Sequence, residues 1–148
     1  MTDFASRLDD GPTDRRGLRV LGLEDCLARV GRHTVGRVAF VADGEVMILP
    51  VTYLLDGLGV SFLTTWGSKL QVAADAGPMA FEVDESDPVT RTGWSVLFQG
   101  SATMVEDPAV VDELHARLPK AWAPSDSPMF WVHLRPDVVS GREIAPAG

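Results

Sequence analysis

"VGRVAFVADGEVMILPVTYLLDGLGVSFLTT", residues 35–65, is three apolar runs punctuated by Asp43-Gly44 and Asp56-Gly57. Asp-Gly between β-formers signals a tight hairpin, because such a turn needs positive φ. The segment therefore predicts an antiparallel meander, with strands near 35–42, 45–55 and 60–65. Pro50 falls inside the second run. A proline cannot donate to a ladder, so it predicts either an edge or a local break where backbone groups can meet something other than a strand.

Upstream, Leu23, Cys26, Leu27 and Val30 recur at helical spacing and predict a short amphipathic helix, with Cys26 a buried thiol rather than a nucleophile. Residues 1–17 are polar, carry glycine, proline and charges of both signs, and lack the apolar core of a signal peptide. They predict a mobile tail ahead of one domain over 18–148.

Downstream, Ser68 with Gln71 three residues on reads as a capping box, and Gly77-Pro78 stops that helix. "MAFEVDESD", residues 79–87, predicts a fourth strand running into an acidic loop. A long fifth strand follows over 93–106, where Val96, Phe98, Ala102 and Met104 share one face and Gly100 suits a bend. Asp107-Pro108 opens a helix to about Leu118, and a Pro- and Ser-containing loop precedes the last strand, "MFWVHLRPDVVSGREI". The composition of residues 120–128 suits a lid. Six strands with two or three short helices predict a mainly β fold, closed into a small antiparallel barrel that leaves no sheet edge.

The 148 residues are 45% hydrophobic and 23% charged, the balance of a globular protein. A net charge of −8 repels a phosphate backbone, so nucleic acid is not an expected partner. No apolar run is long enough to span a bilayer. A single cysteine allows no internal disulfide and fits a reducing compartment, so a cytoplasmic location is expected.

His33, His115 and His133 lack metal-ligand spacing, so no metal is expected. "GWSVL" and "WGSKL" lack the second glycine of a nucleophile elbow, and "GLGVSF" precedes a strand and lacks the third glycine of a dinucleotide fingerprint. "DESD" lacks the glycine and terminal glutamate of a calcium loop. What remains is "LTTWGSKLQ", residues 63–71. A helix N-terminus there offers unpaired N–H groups, Ser68 a hydroxyl, Lys69 a charge, and Thr64 and Thr65 further hydroxyls. Capping alone explains Ser68 equally well, and Lys69 can be a solvated side chain.

The ordered blocks "VGRVAFVADGE", "ILPVTY", "LTTWGSKL", "MAFEVDESD", "TGWSVLFQGSA" and "SGREI" resemble the pyridoxamine 5′-phosphate oxidase-like family of FMN-binding split β-barrels. The resemblance spans residues 23–144 and leans to the branch holding nitroimidazole-resistance-type and actinobacterial proteins. It implies homodimers with two flavin sites at the interface. It places the FMN phosphate at Ser68 and Lys69, the isoalloxazine ring beside Leu49, Pro50, Val51 and Thr52, and the ribityl end along Thr64 and Thr65. The resemblance also implies that Trp94 and Ser95 come from near the site and that Arg142 reaches a second subunit's site. Arg37 is another basic candidate that a simple edge position explains equally well. Trp66, Trp94, Trp122 and Trp131 are candidates for stacking on ring or substrate, core packing being the commoner fate of tryptophan.

Two departures narrow the activity. The C-terminal Arg-x-His signature of true pyridoxamine-phosphate oxidases is missing, His133 standing instead in "WVHLR". Thr65 and Trp66 occupy the strand exit where nitroimidazole-resistance proteins often carry a histidine. The resemblance thus implies an FMN-dependent oxidoreductase acting on a small molecule, with NAD(P)H as donor. A deazaflavin-dependent reductase, or a non-enzymatic flavin- or haem-binding protein, are the alternatives. No side chain is singled out as acid or base.

Overall fold

A computed structural model describes residue 13 and residues 17–65, 67, 71–73, 75–118 and 128–144. In chain order the elements are β1 (Arg19–Leu21), α1 (Leu23–Val30), β2 (Val35–Ala42), β3 (Glu45–Asp56), β4 (Gly59–Thr65), β5 (Pro78–Asp87), β6 (Thr92–Met104), α2 (Pro108–Ala116) and β7 (Met129–Ile144). The strands pair in the order β1-β7-β4-β3-β2-β5-β6, and β6 also pairs β7, so β2 to β7 close into a six-stranded antiparallel barrel.

The two hairpin signals set the first three strands. Asp43 and Gly44 both adopt positive φ, the primed geometry that matches strand twist. At the second turn Asp56 stays in β3 and pairs Gly59, which shifts the loop to Gly57-Leu58. Gly57 supplies the positive φ, so glycine rather than the Asp-Gly pair decides the turn. Pro50 does not break β3. It pairs Arg37 in an unbroken register with β2.

After β4 the chain leaves the meander. β5 pairs with β2, and β7 returns to lie between β4 and β6. "DESD" is strand, because β5 pairs β6 out to Asp87↔Thr92. The register of β6 against β7 shifts at Gln99/Gly100. A Cβ on Gly100 would lie 1.9 Å from the Arg135 carbonyl oxygen, so only glycine fits there.

The three-residue β1, which pairs the end of β7, was not anticipated from sequence. "RVL" is too short for any periodicity to show. Thr13 makes an isolated antiparallel bridge to Arg19. Most of the tail expected over 1–17, and most of the lid segment at 120–128, lie outside the described residues.

The barrel interior holds Val38, Phe40, Val51, Tyr53, Val60, Phe62, Phe81, Phe98, Val132 and Leu134. Each fully buried phenylalanine among them contributes about 1.5–3 kcal/mol. Helix α1 covers one end, where the Tyr53 hydroxyl donates to the Val30 carbonyl. Its buried residues are Cys26 and Val30, whereas Leu23 is exposed. Burial pushes the Cys26 thiol pKa up, as expected of an inert cysteine. Asp107 caps α2 by accepting the Ala109 N–H at 3.0 Å. That helix buries Leu114 against Leu63 and Trp131 on the outer face of β4 and β7.

No helix among the described residues is long and apolar enough to cross a membrane.

Candidate functional site: the split between the third and fourth strands

β3 and β4 are paired only from Asp56↔Gly59 to Tyr53↔Phe62. Beyond that point residues 45–52 of β3 keep β2 on one side, while Leu63, Thr64 and Thr65 of β4 pair only with β7. The barrel is split here. The split brings Leu49, Pro50, Val51 and Thr52 on one wall opposite Thr64 and Thr65 on the other.

Backbone direction along β3 follows from one hydrogen bond. The Tyr53 N–H donates to Thr34 O at 2.9 Å, on the β2 side. In an antiparallel pair successive residues alternate sides, so residues 47, 49 and 51 also turn to β2, and Ile48 and Pro50 turn to the split. Pro50 thus forfeits no ladder bond; its missing N–H would have faced the split. The edge and the local break in pairing expected of this proline are both present on the side that has lost β4, while the ladder with β2 runs on unbroken. The Ile48 N–H and the Ile48 and Pro50 carbonyls face a side where no described strand pairs.

The side chains around this edge are mostly apolar or small. Val51, Thr52 and Thr64 are buried, Leu49 and Thr65 half-buried, and Pro50 exposed. Thr64 Oγ1 donates to the Thr65 carbonyl at 3.2 Å.

At the exit of β4 the Gln71 N–H donates to Gly67 O at 3.1 Å, the first helical bond among the described residues. The Gln71 side chain donates forward to Asp75 at 3.4 Å, and the capping box read from Ser68 lies outside the described residues. The helix ends with Ala76, not glycine, in the left-handed conformation, φ 52°, while the Gly77 N–H bonds Val72 O at 2.8 Å. Gly77 is needed instead for its close contact with Val72. Ser68, Lys69, Trp66 and Trp122 lie outside the described residues.

The remaining candidates are not brought to the split. Trp94 points inward at the α1 end, where the Arg29 guanidinium lies 5.9 Å from its ring centre and His33 lies 5.4 Å away. Ser95, the next residue, points outward, across from Asp84 and Arg142. β6 stands three strands from β3, so Trp94, Ser95 and Arg142 form no common pocket with residues 49–52 inside one subunit. The Arg142 Nη1 donates to the Gly141 carbonyl at 2.9 Å. Trp131 is core, buried and donating Nε1–H to His115 Nδ1 at 2.8 Å.

Two polar clusters went unread because their members are far apart in sequence. The buried Ser61 hydroxyl lies 3.1 Å from Asp56 Oδ2 and 2.9 Å from His133 Nδ1. Burial lowers the His133 pKa, and the Asp56 charge only partly opposes it. On the outer face of β2 and β5, Arg37 Nη1 lies 3.4 Å from Glu82 and 3.5 Å from Asp84. The alternation of β5 could have shown that Glu82 and Asp84 share the face opposite Phe81 and Val83.

A family profile described as pyridoxamine 5′-phosphate oxidase matches residues 23–143. Uncharacterized protein Rv0080 of Mycobacterium tuberculosis is 33% identical over 138 residues, 90% of each chain. The solved FAD binding protein from Mycobacterium smegmatis is 27% identical, with a TM-score of 0.68 over 84% of this chain and 96% of its own. A conserved protein of unknown function from Corynebacterium diphtheriae is likewise 27% identical, with a TM-score of 0.70 over 86% of this chain and 98% of its own. With barrel, split and profile in agreement over the folded chain, the protein belongs to the pyridoxamine 5′-phosphate oxidase family.

Proposed function

We propose that this chain is a flavin-dependent oxidoreductase acting on a small molecule, its flavin seated in the split with the ring against β3. The observation that carries this reading is the open backbone edge at Ile48 and Pro50, in a chain of this family. An isoalloxazine ring has an apolar body and a polar rim of acceptors and one N–H. An edge offering one N–H and two carbonyls beside apolar Leu49 and Val51 complements it. Thr64 and Thr65 line the opposite wall, and Ser68 and Lys69 follow in sequence as the phosphate grip. When bound, the flavin supplies the redox chemistry, and the protein supplies position and electrostatics.

FMN is the cofactor we favour, since a single phosphate grip suffices for it; the M. smegmatis relative is described as binding FAD. A nicotinamide dinucleotide is the expected electron donor. The missing Arg-x-His signature argues against vitamin B6 oxidation.

The working unit is a homodimer. Its supporting feature is the outer face of β2 and β3, where Val41, Val46 and Ile48 are 60, 76 and 64% exposed. Beside them a groove of about 540 Å³ is lined by Ala39, Val46, Pro78, Ala80 and Val138 among others. Contiguous apolar surface of this kind marks an interaction site. Arg37 borders this strip and is held by Glu82 and Asp84 of its own subunit.

The test is the absorbance spectrum of the purified protein. Oxidised-flavin bands that bleach with NADPH and return in air establish the oxidoreductase. A flavin that never bleaches identifies a carrier, and a haem or deazaflavin spectrum overturns the assignment. Mass analysis of the released cofactor separates FMN from FAD.

A further inference from the structure

The outer face proposed above as the dimer contact carries a carboxyl pair that apolar packing alone does not need. Across β3, β2, β5 and β6 one row runs Pro50, Arg37, Glu82, Leu97. The adjacent row runs Ile48, Ala39, Ala80, Gln99. Glu82 and Asp84 therefore stand beside the apolar strip. One guanidinium nitrogen serves both carboxyls at 3.4 and 3.5 Å, so negative charge is in excess.

We propose that assembly of the dimer takes up protons, one at each subunit's Glu82–Asp84 pair, so that subunit association weakens as pH rises. This rests on the homodimer reading above.

The groups facing Glu82 are few. β2 presents Arg37, β5 itself Asp84, and β3, one strand further, Pro50. β6 presents the uncharged Ser95 and Leu97, and Arg142 of β7 lies beyond Ser95. Burial, then the hydrogen bond and charge of Asp84, push Glu82 up to about 7, against the pull of Arg37. The Glu82 side chain is still 31% exposed in the single subunit. A second copy over this face removes that remaining water and raises the proton affinity further. The sign is then fixed. A group whose pKa rises on association stays protonated in the dimer, so association is strongest below about 7 and weakens above it.

Sedimentation velocity on the flavin-loaded protein between pH 6.5 and 9 measures the dissociation constant. The expected result is a rise of at least about tenfold over that window, approaching two decades per pH unit at most for two protons. Glu82→Gln, which keeps the neutral form at every pH, should dimerise with a pH-independent constant. A wild-type constant that is flat, or that falls as pH rises, overturns the proposal, as does an equal slope in Glu82→Gln. A flavin-loaded monomer at every pH overturns the homodimer reading itself and this proposal with it.

Discussion

Replacing Ile48 by proline tests the flavin edge without touching the core. The Ile48 N–H faces the split rather than β2, and its side chain is 64% exposed in the single subunit, so the substitution removes no ladder bond and little packing within the subunit. Its stability cost should stay below about 1 kcal/mol, which for a chain of this length is a melting shift of no more than about 4 °C. Leu49→Pro is the paired control. The Leu49 N–H points to β2, opposite Val38, so proline there loses a ladder bond and orphans a carbonyl. That costs about 2–4 kcal/mol, counting the lost bond and the unmet acceptor. If the Ile48 N–H donates to the ring, Ile48→Pro forfeits one net hydrogen bond of about 1–1.5 kcal/mol and binds FMN about 5- to 12-fold more weakly. Fluorescence titration reads the affinity and a thermal scan the stability. An unchanged FMN affinity in a folded Ile48→Pro would refute the placement of the ring on this edge. A Leu49→Pro as stable as Ile48→Pro would refute the backbone alternation on which it stands.

Lys69→Ala should weaken FMN binding about tenfold, the loss of one charge-assisted contact, while the melting temperature stays within about 2 °C; equal affinity in both proteins rejects the phosphate grip. Ser61→Ala strips the hydroxyl that joins Asp56 to His133 and should cost about 1–3 kcal/mol in urea unfolding at pH 7.5. The pH dependence of the same cluster has a definite sign. The folded pKa of His133 lies below its usual value of 6.5, so its contribution is complete above 6.5 and is lost as pH falls toward the folded value. His133→Gln should flatten that acid limb, and a limb of unchanged slope would assign it to other groups. Gly100→Ala places a methyl against the Arg135 carbonyl and should destabilise by about 3 kcal/mol or more, read as a melting drop of at least about 6 °C.

What could be read from sequence was what neighbouring residues decide together. Asp43-Gly44 announced its hairpin because turn chemistry is local, and the alternation of Val96, Phe98, Ala102 and Met104 showed the inward face of β6. Pro50 pointed to an edge for a reason that survives in the fold. The pairing of β5 with β2 rather than β4 was not legible, because that choice is made by packing across the whole barrel. The same holds for the Ser61–His133 contact, between residues 72 apart. Within the candidate site the sequence marked the stretches 49–52 and 64–65, but not that they diverge from a common pair at Tyr53↔Phe62. Trp94 and Ser95 look alike as neighbours in a string, yet a strand sends them to opposite faces.

β7 has a consequence for how the chain reaches its native state. This sixteen-residue strand touches β1, β4 and β6, and it is the last element in order. While the chain is being synthesised, β2 to β6 can form a curled ribbon whose two outermost strands have no mate. The two ladders that seal the cylinder wait until residues 129–144 have left the ribosome, a late and non-local event that is intrinsically slow. The nascent ribbon is therefore most prone to sticking to its neighbours just before it is complete, and chaperone demand should peak in that interval.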